Sequence, residues 1–293
     1  MPGAPHIWIP LSGRHAAAAG LSMHSPCAPV KVMAQRVWYA AVRLAGPRLI
    51  PGRRSTWSPP LPEDEWAAVL DAWRRTVGEF DSLAMYLRPQ AARGGFAALL
   101  LDHGRGVGFA RVQTDEGRVM REYSVMSQLH EARPSSFRVA QPLATGAIGS
   151  SWWMLTSSVP NYPLGAVRSA RTREVVSSEL SQILLDTLDR PAGVPRHWVP
   201  AHGDFSPWNL RTELSGTVWV IDWEDVGFAP PGVDLLYGSL TAHTTFGAPL
   251  PSAIPDEAGE WVERMLLDRI RREGQPGDAN SVLVTALRDL PRQ

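Results

Sequence analysis

The sequence predicts an α+β protein in which an antiparallel sheet is followed along the chain by a mainly helical region. Three strand-like segments lie in succession at Ser82 to Leu87, Phe96 to Leu101 and Val107 to Val112, separated by turn-prone residues. Helical periodicity dominates after residue 161. The length of 293 residues exceeds that of a typical single domain. It therefore suits two lobes, each with its own core.

The composition narrows the classes of function. The formal net charge is zero, whereas proteins that bind nucleic acids or membrane surfaces usually carry a basic excess. Cys27 is the only cysteine, which excludes an intramolecular disulfide and suits a reducing compartment. No apolar run approaches the length of a membrane span, and no signal-peptide pattern is present. We therefore expect a soluble, unprocessed, cytoplasmic protein without nucleic-acid or membrane partners.

Residues 1–80 are predicted to form an amino-terminal extension of unassigned role. A short strand is expected within residues 6–11, and a second strand at Ala16 to Met23 around Gly20.

Two helices are predicted in the same extension, over Val30 to Leu44 and over Pro62 to Gly78, with a turn-rich connector between them. Gly46 and Pro47 end the first helix. Three acidic residues favour the start of the second, because they complement the helix dipole. Each helix carries an apolar stripe: Val30, Met33, Val37, Ala41 and Leu44 in the first, and Trp66, Val69, Leu70, Trp73 and Val77 in the second.

Later elements follow from the same periodicities. The segments expected to be helices have apolar residues three and four positions apart, and those expected to be strands are short apolar runs. The predicted helices are Gly117 to His130, Arg173 to Leu188, Asp256 to Arg272 and Ser281 to Leu290, and the predicted strands are Ser151 to Leu155 and Val218 to Ile221.

The stretch from His202 to Asp225 carries the strongest chemical signal. Asp204 and Asn209 lie five positions apart in a segment that glycine and proline break, so a tight loop is expected to present both side chains together. Asp222 follows the predicted strand that ends at Ile221. A carboxylate that accepts a hydroxyl proton and two oxygen ligands for Mg²⁺ are what phosphoryl transfer from a nucleotide requires.

The pattern resembles the aminoglycoside phosphotransferase and choline kinase family. The resemblance rests on His-Gly-Asp, on the asparagine five residues after that aspartate, and on Ile-Asp-Trp-Glu, with Asp222 thirteen positions after Asn209. It implies a bilobal protein-kinase-like fold. A small antiparallel-sheet lobe is then expected at 81–160, and a larger, mainly helical lobe that contains the catalytic loop at 161–293.

The resemblance also implies roles for individual residues. Asp204 would be the catalytic base, Asn209 and Asp222 the Mg²⁺ ligands, and His202 an organiser of the loop. Asp234, in the segment after Gly227, would brace the loop by hydrogen bonds, although capping of the following helix explains an acid there equally well.

Nucleotide binding is expected from the sheet. Arg111 stands where relatives place a phosphate-holding lysine, and Lys31 is the only lysine in the chain. Glu122 lies where the family supplies an acid to pair with that cation. The flexible loop between the first two strands lies over the phosphates in relatives, although it lacks a Gly-x-Gly-x-x-Gly pattern. Its cofactor-binding candidates are Arg93, Gly94 and Gly95.

The function implied is Mg²⁺-dependent transfer of the terminal phosphoryl group of ATP or GTP to a hydroxyl of a small molecule. An aminoglycoside, another antibiotic, an amino alcohol and a sugar all stay open as acceptors. Glu224 and Asp225 are interpreted as solvated surface carboxylates, with a contact to a cationic substrate as the alternative.

Two other functions stay open. A kinase-like protein that binds a nucleotide or a partner with little turnover is favoured by Arg111, because an arginine does not replace a lysine conservatively at a tight phosphate site. A metal-dependent hydrolase would use His202, Asp204 and Asp222, with His197 as the second histidine nearby.

Overall fold

The computed structural model describes residues 7–52, 54, 61–87, 95–273 and 279–292. The chain divides into two compact units. The first contains residues 1–123 and 140–164, and the second contains residues 124–139 and 165–293. The predicted extension therefore belongs to the same unit as the predicted small lobe, and residues 124–139 belong to the second unit.

A six-stranded antiparallel sheet forms the centre of the first unit, with the strand order β1-β2-β3-β4-β6-β5. The three consecutive strands expected from the sequence are confirmed as β2, β3 and β4. The sheet strands are β1 (Ile7–Trp8), β2 (Ser82–Leu87), β3 (Phe96–Asp102), β4 (Arg105–Gln113), β5 (Pro142–Ile148) and β6 (Ser151–Thr156).

Helices cover both faces of this sheet, which explains why β3 is continuously apolar. Ala98 and Leu100 pack with Trp73 of helix α3 (Glu63–Val77), whereas Leu99 and Leu101 pack with helix α1 (Arg14–Leu21). The extension thus completes the core of the sheet unit. The tryptophans of α3 belong to that core, where Trp66 and Trp73 meet edge to face.

The predicted strand at Ala16 to Met23 is wrong, because this segment lies in helix α1. Its run of alanines has the highest helix propensity and small side chains, so the helix can lie close to the sheet. Gly20 permits a similarly close approach, since a Cβ there would lie 2.8 Å from Cγ2 of Ile9.

The helix predicted over Val30 to Leu44 is confirmed as α2 (Pro29–Ala45), and it ends at Gly46 as expected. Its buried side chains are Val32 and Val42, not the predicted stripe. Most of the stripe is exposed, namely Val30, Met33, Val37 and Leu44.

Helix α4 (Glu116–Ala132) is confirmed, and strand β5 was not predicted. Proline, glycine and alanine give β5 no clear alternation of apolar and polar residues. Its Gly146 lies under Trp153, where a Cβ would come within 2.5 Å of the indole ring.

The second unit is mainly helical. A core cluster in this unit consists mainly of apolar side chains from three helices, among them Leu240, Leu266 and Leu287. The helices predicted after residue 170 are confirmed. The α-helices that begin in this unit are α5 (Ala170–Thr187), α6 (Val233–Phe246), α7 (Asp256–Glu273) and α8 (Ala279–Arg288).

Five short strands accompany these helices in two small antiparallel sheets, of order β10-β9-β7 and β11-β8. Only the strand from Val218 was predicted, because three-residue strands carry too little periodicity. The strands are β7 (Gly165–Ala166), β8 (Val199–Ala201), β9 (Leu210–Thr212), β10 (Val218–Val220) and β11 (Gly227–Ala229).

The predicted fold class is confirmed: the protein is α+β, with one unit built on an antiparallel sheet and one mainly helical unit. Among the helices of the described residues, none combines the length and the apolar character needed to cross a bilayer.

Candidate active site

The loop between β8 and β9 brings Asp204 and Asn209 together. The backbone folds back on itself, since the Ser206 amide donates to the Asp204 carbonyl (2.8 Å) and the Asn209 amide to the Ser206 carbonyl (3.0 Å). The Asn209 side-chain nitrogen also donates to the Asp204 carbonyl, over 3.0 Å. Both residues are buried. The expected tight loop is therefore present and joins the two side chains.

Asp222 reaches the same place through the hairpin of β9 and β10. Leu210 pairs with Val220, and the Ile221 amide donates to the Asn209 carbonyl over 3.0 Å. Asp222 then adopts a left-handed backbone conformation with φ 68° and ψ 68°. Such a conformation costs free energy in a residue other than glycine, and it concentrates at functional sites.

His202 organises the loop as a neutral imidazole. It is fully buried, and its ring lies 4.8 Å from that of Trp223. Burial lowers the pKa of His202, although Asp234 and Asp222 act in the opposite direction. The ring nitrogen Nε2 donates to the Ile221 carbonyl (3.1 Å), and Nδ1 accepts from the Asp204 amide (3.2 Å). These two partners together require the tautomer protonated at Nε2.

Asp234, near the start of α6, holds the loop at its first two residues. Its two oxygens accept from the backbone amides of His202 (2.7 Å) and Gly203 (3.1 Å). Burial raises the pKa of Asp234, while these bonds and His202 oppose the shift. No side-chain bond from Asp234 to the start of α6 is among the described contacts, so the observed bonds favour bracing over helix capping.

Gly203 occupies a position that only glycine fits. Its φ is +79°, and a Cβ would lie 2.2 Å from the backbone oxygen of Asp225. The loop can therefore approach the turn after Asp222 closely only because this residue has no side chain.

Arg269 and Tyr237 belong to this site and were not predicted. Arg269 of α7 is buried and lies 3.7 Å from Oδ1 of Asp204 and 3.0 Å from Oδ2 of Asp225. It also donates to the Tyr237 hydroxyl over 2.8 Å. A signal was present in the sequence, since Arg269 continues the buried stripe of Val262 and Leu266 at helical spacing.

The interpretation of Glu224 and Asp225 as solvated surface carboxylates is wrong. Glu224 is 4% exposed, and Asp225 forms an ion pair with the buried guanidinium of Arg269. In the short 3₁₀ helix over Trp223–Asp225, Glu224 is buried and 24% of the Asp225 side chain is exposed. The sequence alone could not show this, because the cation that compensates Asp225 lies 44 positions away.

The structure also argues against the hydrolase hypothesis. Both ring nitrogens of His202 are engaged in hydrogen bonds, so neither is available as a metal ligand. His197 lies on the surface, where it pairs with Glu257.

The first unit contains the predicted cation and acid pair. Nη1 of Arg111, on β4, lies 2.7 Å and 2.8 Å from the two oxygens of Glu122, on α4. Both side chains are largely buried, with 12% and 3% of their surface exposed. The sequence spacing therefore identified a genuine contact, and its role toward a nucleotide stays a prediction.

Of the three predicted residues of the phosphate loop, the structure describes only Gly95. Arg93 and Gly94 lie outside the described residues. Gly95 has a φ of +114°, and a Cβ there would come within 2.0 Å of the Val112 carbonyl oxygen. Glycine is therefore required at position 95 by the close approach of the Val112 backbone.

Residues 159–267 match the model of the phosphotransferase enzyme family, APH. The match contains His202, Asp204, Asn209 and Asp222, the residues that carried the resemblance, and it confirms the predicted resemblance to this family. A comparison with curated proteins found no match.

Solved structures of kinases and phosphotransferases also resemble the chain. One is an amicoumacin kinase, hAmiN, in complex with AMP-PNP, Ca²⁺ and Ami, with 13% identity, a TM-score of 0.42 and coverage of 78% of this chain and 86% of that one. Another is the spectinomycin phosphotransferase APH(9)-Ia in complex with ADP and spectinomycin, with 9% identity, a TM-score of 0.46 and coverage of 76% and 98%. A third is an aminoglycoside-3′-phosphotransferase of type VIII, with 17% identity, a TM-score of 0.43 and coverage of 77% and 98%.

Proposed function

We propose that this chain, whose residues 159–267 match the model of the phosphotransferase enzyme family, transfers the terminal phosphoryl group of a nucleotide to a hydroxyl of a small molecule. The observation that carries the proposal is the junction of Asp204, Asn209 and Asp222. A hydrogen bond from Asn209 to the Asp204 carbonyl and one from Ile221 to Asn209 hold these residues together, with Asp204 and Asn209 buried and Asp222 half-buried. Phosphoryl transfer depends mainly on such positioning of charged groups.

Asp204 is proposed as the catalytic base. Its backbone is held on three sides, by His202, Ser206 and Asn209, so its carboxylate has a defined place. In that place it would orient the acceptor hydroxyl and accept its proton as the oxygen–phosphorus bond forms.

Asn209 and Asp222 fit a Mg²⁺ ion by the chemistry of their donor atoms. The nitrogen of the Asn209 amide is committed to the Asp204 carbonyl, so the amide oxygen is the atom suited to coordination. Asp222 adds a charged oxygen ligand, and hard cations prefer such ligands. When bound there, Mg²⁺ would neutralise phosphate charge on the nucleotide.

His202 and Asp234 are proposed as supporting residues. Neither carries out the chemistry in this proposal. Asp234 fixes the two amides at the start of the loop, and His202 links the loop to the Ile221 carbonyl next to Asp222. The relative position of the base and the metal ligands therefore depends on this pair.

Arg111 is proposed to hold nucleotide phosphates, with Glu122 as its ion-pair partner and Gly95, Arg93 and Gly94 as further contributors. ATP and GTP are both candidate donors. An antibiotic, an amino alcohol or a sugar is the proposed acceptor. We also propose action in the cytoplasm, on the basis of the zero net charge and the single cysteine.

The test is nucleotide consumption by the purified protein with Mg²⁺ and a panel of hydroxyl acceptors, followed by the same assay on Asp204→Asn. The substitution keeps the size of the side chain and removes the base. Turnover should fall by about 10²- to 10⁴-fold. The matched control is Asp186→Asn, at an exposed position of α5. Wild-type turnover in Asp204→Asn would refute the proposed base.

A second function, nucleotide binding with little turnover, is favoured by one observation: Arg111 occupies the position of the family's lysine. A thermal-shift titration with nucleotide and Mg²⁺, run beside the turnover assay, separates the two. Binding without turnover across the acceptor panel would favour the binding protein over the enzyme.

A further inference from the structure

Arg269 is a buried cation that none of the family motifs contains. It lies on α7, two positions beyond the matched segment that ends at residue 267. Only 7% of the surface of Arg269 is exposed to solvent. An arginine is rarely buried unless charged or polar groups surround its guanidinium. The partners therefore indicate what it does.

The guanidinium contacts the catalytic loop and the turn after Asp222 at the same time. Nη1 lies 3.7 Å from Oδ1 of Asp204, and Nη2 approaches the Gly203 carbonyl at 3.4 Å. Nη2 also donates to Oδ2 of Asp225 over 3.0 Å. One planar group thus contacts the proposed base, the residue before it, and the short helix that begins directly after the proposed metal ligand.

Tyr237, on α6, contacts the same nitrogen of the guanidinium that approaches Asp204. Nη1 donates to the Tyr237 hydroxyl over 2.8 Å, and the cation lies 5.3 Å from the centre of the phenol ring. Burial raises the pKa of Tyr237, so the phenol stays neutral. Burial alone lowers the pKa of Arg269, but its neighbours Tyr237, Asp204 and Asp225 outweigh that effect and raise it. The guanidinium is therefore a fixed positive charge beside two carboxylates.

We infer that Arg269 is a positioning residue for the reaction, which orients the Asp204 carboxylate and ties the catalytic loop to the turn that carries Asp222. The inference rests on the proposed function of Asp204. Arg269, on α7, lies beside the carboxylate of the base, whereas Asp234 and His202 hold the backbone of the loop. The side chain of the base thus has a support in addition to that of its backbone.

A purely structural role would have a different signature. Removing one partner of a buried ion pair destabilises a fold, because the other charge is left buried. Arg269→Met is therefore expected to lower the melting temperature as well as to remove the orientation of Asp204, so its rate is measured on the folded fraction. Arg269→Lys keeps the charge, but an ammonium cannot match the planar fork that reaches several partners.

The experiment compares kcat and KM for the nucleotide in the wild type, Arg269→Met and Arg269→Lys, with melting temperatures measured in parallel. Arg271→Met is the matched control, because Arg271 lies on the same helix with 72% of its side chain exposed. Misplacement of a catalytic group by about 1 Å can cost about 100-fold in rate. We expect kcat to fall by about 10- to 100-fold in Arg269→Met, with KM changed by less than about threefold, and a partial recovery in Arg269→Lys.

Further readouts keep the inference testable if Arg269→Met does not fold. Arg269→Ala leaves a space of the shape of guanidinium, so added guanidinium ion at low millimolar concentration should raise its kcat. Asp225→Asn should lower kcat less than Arg269→Met, since the contact with Asp204 survives.

The outcomes separate this inference from the proposed function. A folded Arg269→Met with wild-type kcat, beside an inactive Asp204→Asn, would overturn the role of Arg269 and leave the function standing. Full activity of Asp204→Asn would instead remove the proposed base. The inference would also be overturned if the losses of kcat only paralleled the losses of melting temperature, if Arg269→Lys showed no recovery relative to Arg269→Met, and if added guanidinium did not raise the kcat of Arg269→Ala.

Discussion

Arg111 offers a quantitative test of the nucleotide site, because its environment fixes both a stability effect and a binding effect. It pairs with Glu122 at 2.7 Å, and only 3% of the Glu122 side chain is exposed. Arg111→Ala leaves this carboxylate buried without its cation. Breaking one side of a buried ion pair costs about 3–5 kcal/mol. We expect the free energy of unfolding to fall by that amount.

The binding effect follows from the proposed contact with phosphate, which Arg111→Ala would remove. A hydrogen bond to a charged group contributes about 1.5–3 kcal/mol, so the nucleotide Kd of Arg111→Ala should rise by about 10- to 150-fold. Arg111→Lys should retain or raise affinity and turnover, because it restores the compact ammonium typical of the family. The double variant Arg111→Met with Glu122→Met should recover much of the stability without recovering affinity, which separates the two effects.

Chemical denaturation measures stability, and calorimetric titration with Mg²⁺ and nucleotide measures affinity. Arg121→Ala is the matched control, since Arg121 is an exposed cation one position before Glu122. Equal nucleotide affinity in the wild type, Arg111→Ala and Arg111→Lys would refute a phosphate contact. A stability loss below about 1 kcal/mol in Arg111→Ala would contradict the buried pair itself.

Two further predictions concern the second unit. Asp222→Ala should raise the Mg²⁺ concentration required for half-maximal turnover, because Asn209 alone is a neutral ligand; an unchanged requirement in a Mg²⁺ titration at fixed nucleotide would place the ligand elsewhere. Burial tends to raise the pKa of Glu179, but hydrogen bonds donated by Ser135 and Ser136 outweigh it and lower the pKa. A carboxylate whose pKa is lower in the folded than in the unfolded protein stabilises the fold at pH values above its unfolded-state pKa. This stabilisation is lost as the pH falls through the folded-state pKa. Glu179→Ala should therefore cost about 1 kcal/mol at pH 7 and progressively less below about pH 4, as measured by urea denaturation beside Asp186→Ala; a cost independent of pH would contradict this assignment.

The elements that the sequence predicted well are those with long, uninterrupted periodicity. A single pattern repeats over many residues in helices α3, α5 and α7 and in strands β2 to β4. The packing of these elements agrees with that pattern. Helix α1 differs, because a run of alanines shows no alternation of apolar and polar residues. The high helix propensity of alanine is then the only local signal for this helix. The stripe on α2 shows the opposite error, since a regular apolar pattern does not specify which face the rest of the chain covers.

In the candidate site, too, the contacts that could be predicted are those between residues close together along the chain. The proximity of Asp204, Asn209 and Asp222 was predictable because the three residues lie within one short stretch, and a loop and a hairpin suffice to join them. The pair of Arg111 and Glu122 lies only 11 positions apart, on a strand and the helix that follows it.

The sequence by itself thus determined the resemblance to the phosphotransferase family, the α+β character and the local acidic motif, because each depends on residues close together along the chain. Only the tertiary structure decided which distant groups surround that motif. Arg269 reaches Gly203 across 66 positions, and Asp234 accepts from His202 across 32. It also decided that Glu224 is buried. Burial and charge compensation depend on groups that packing brings together, and no local pattern specifies which distant side chains those will be.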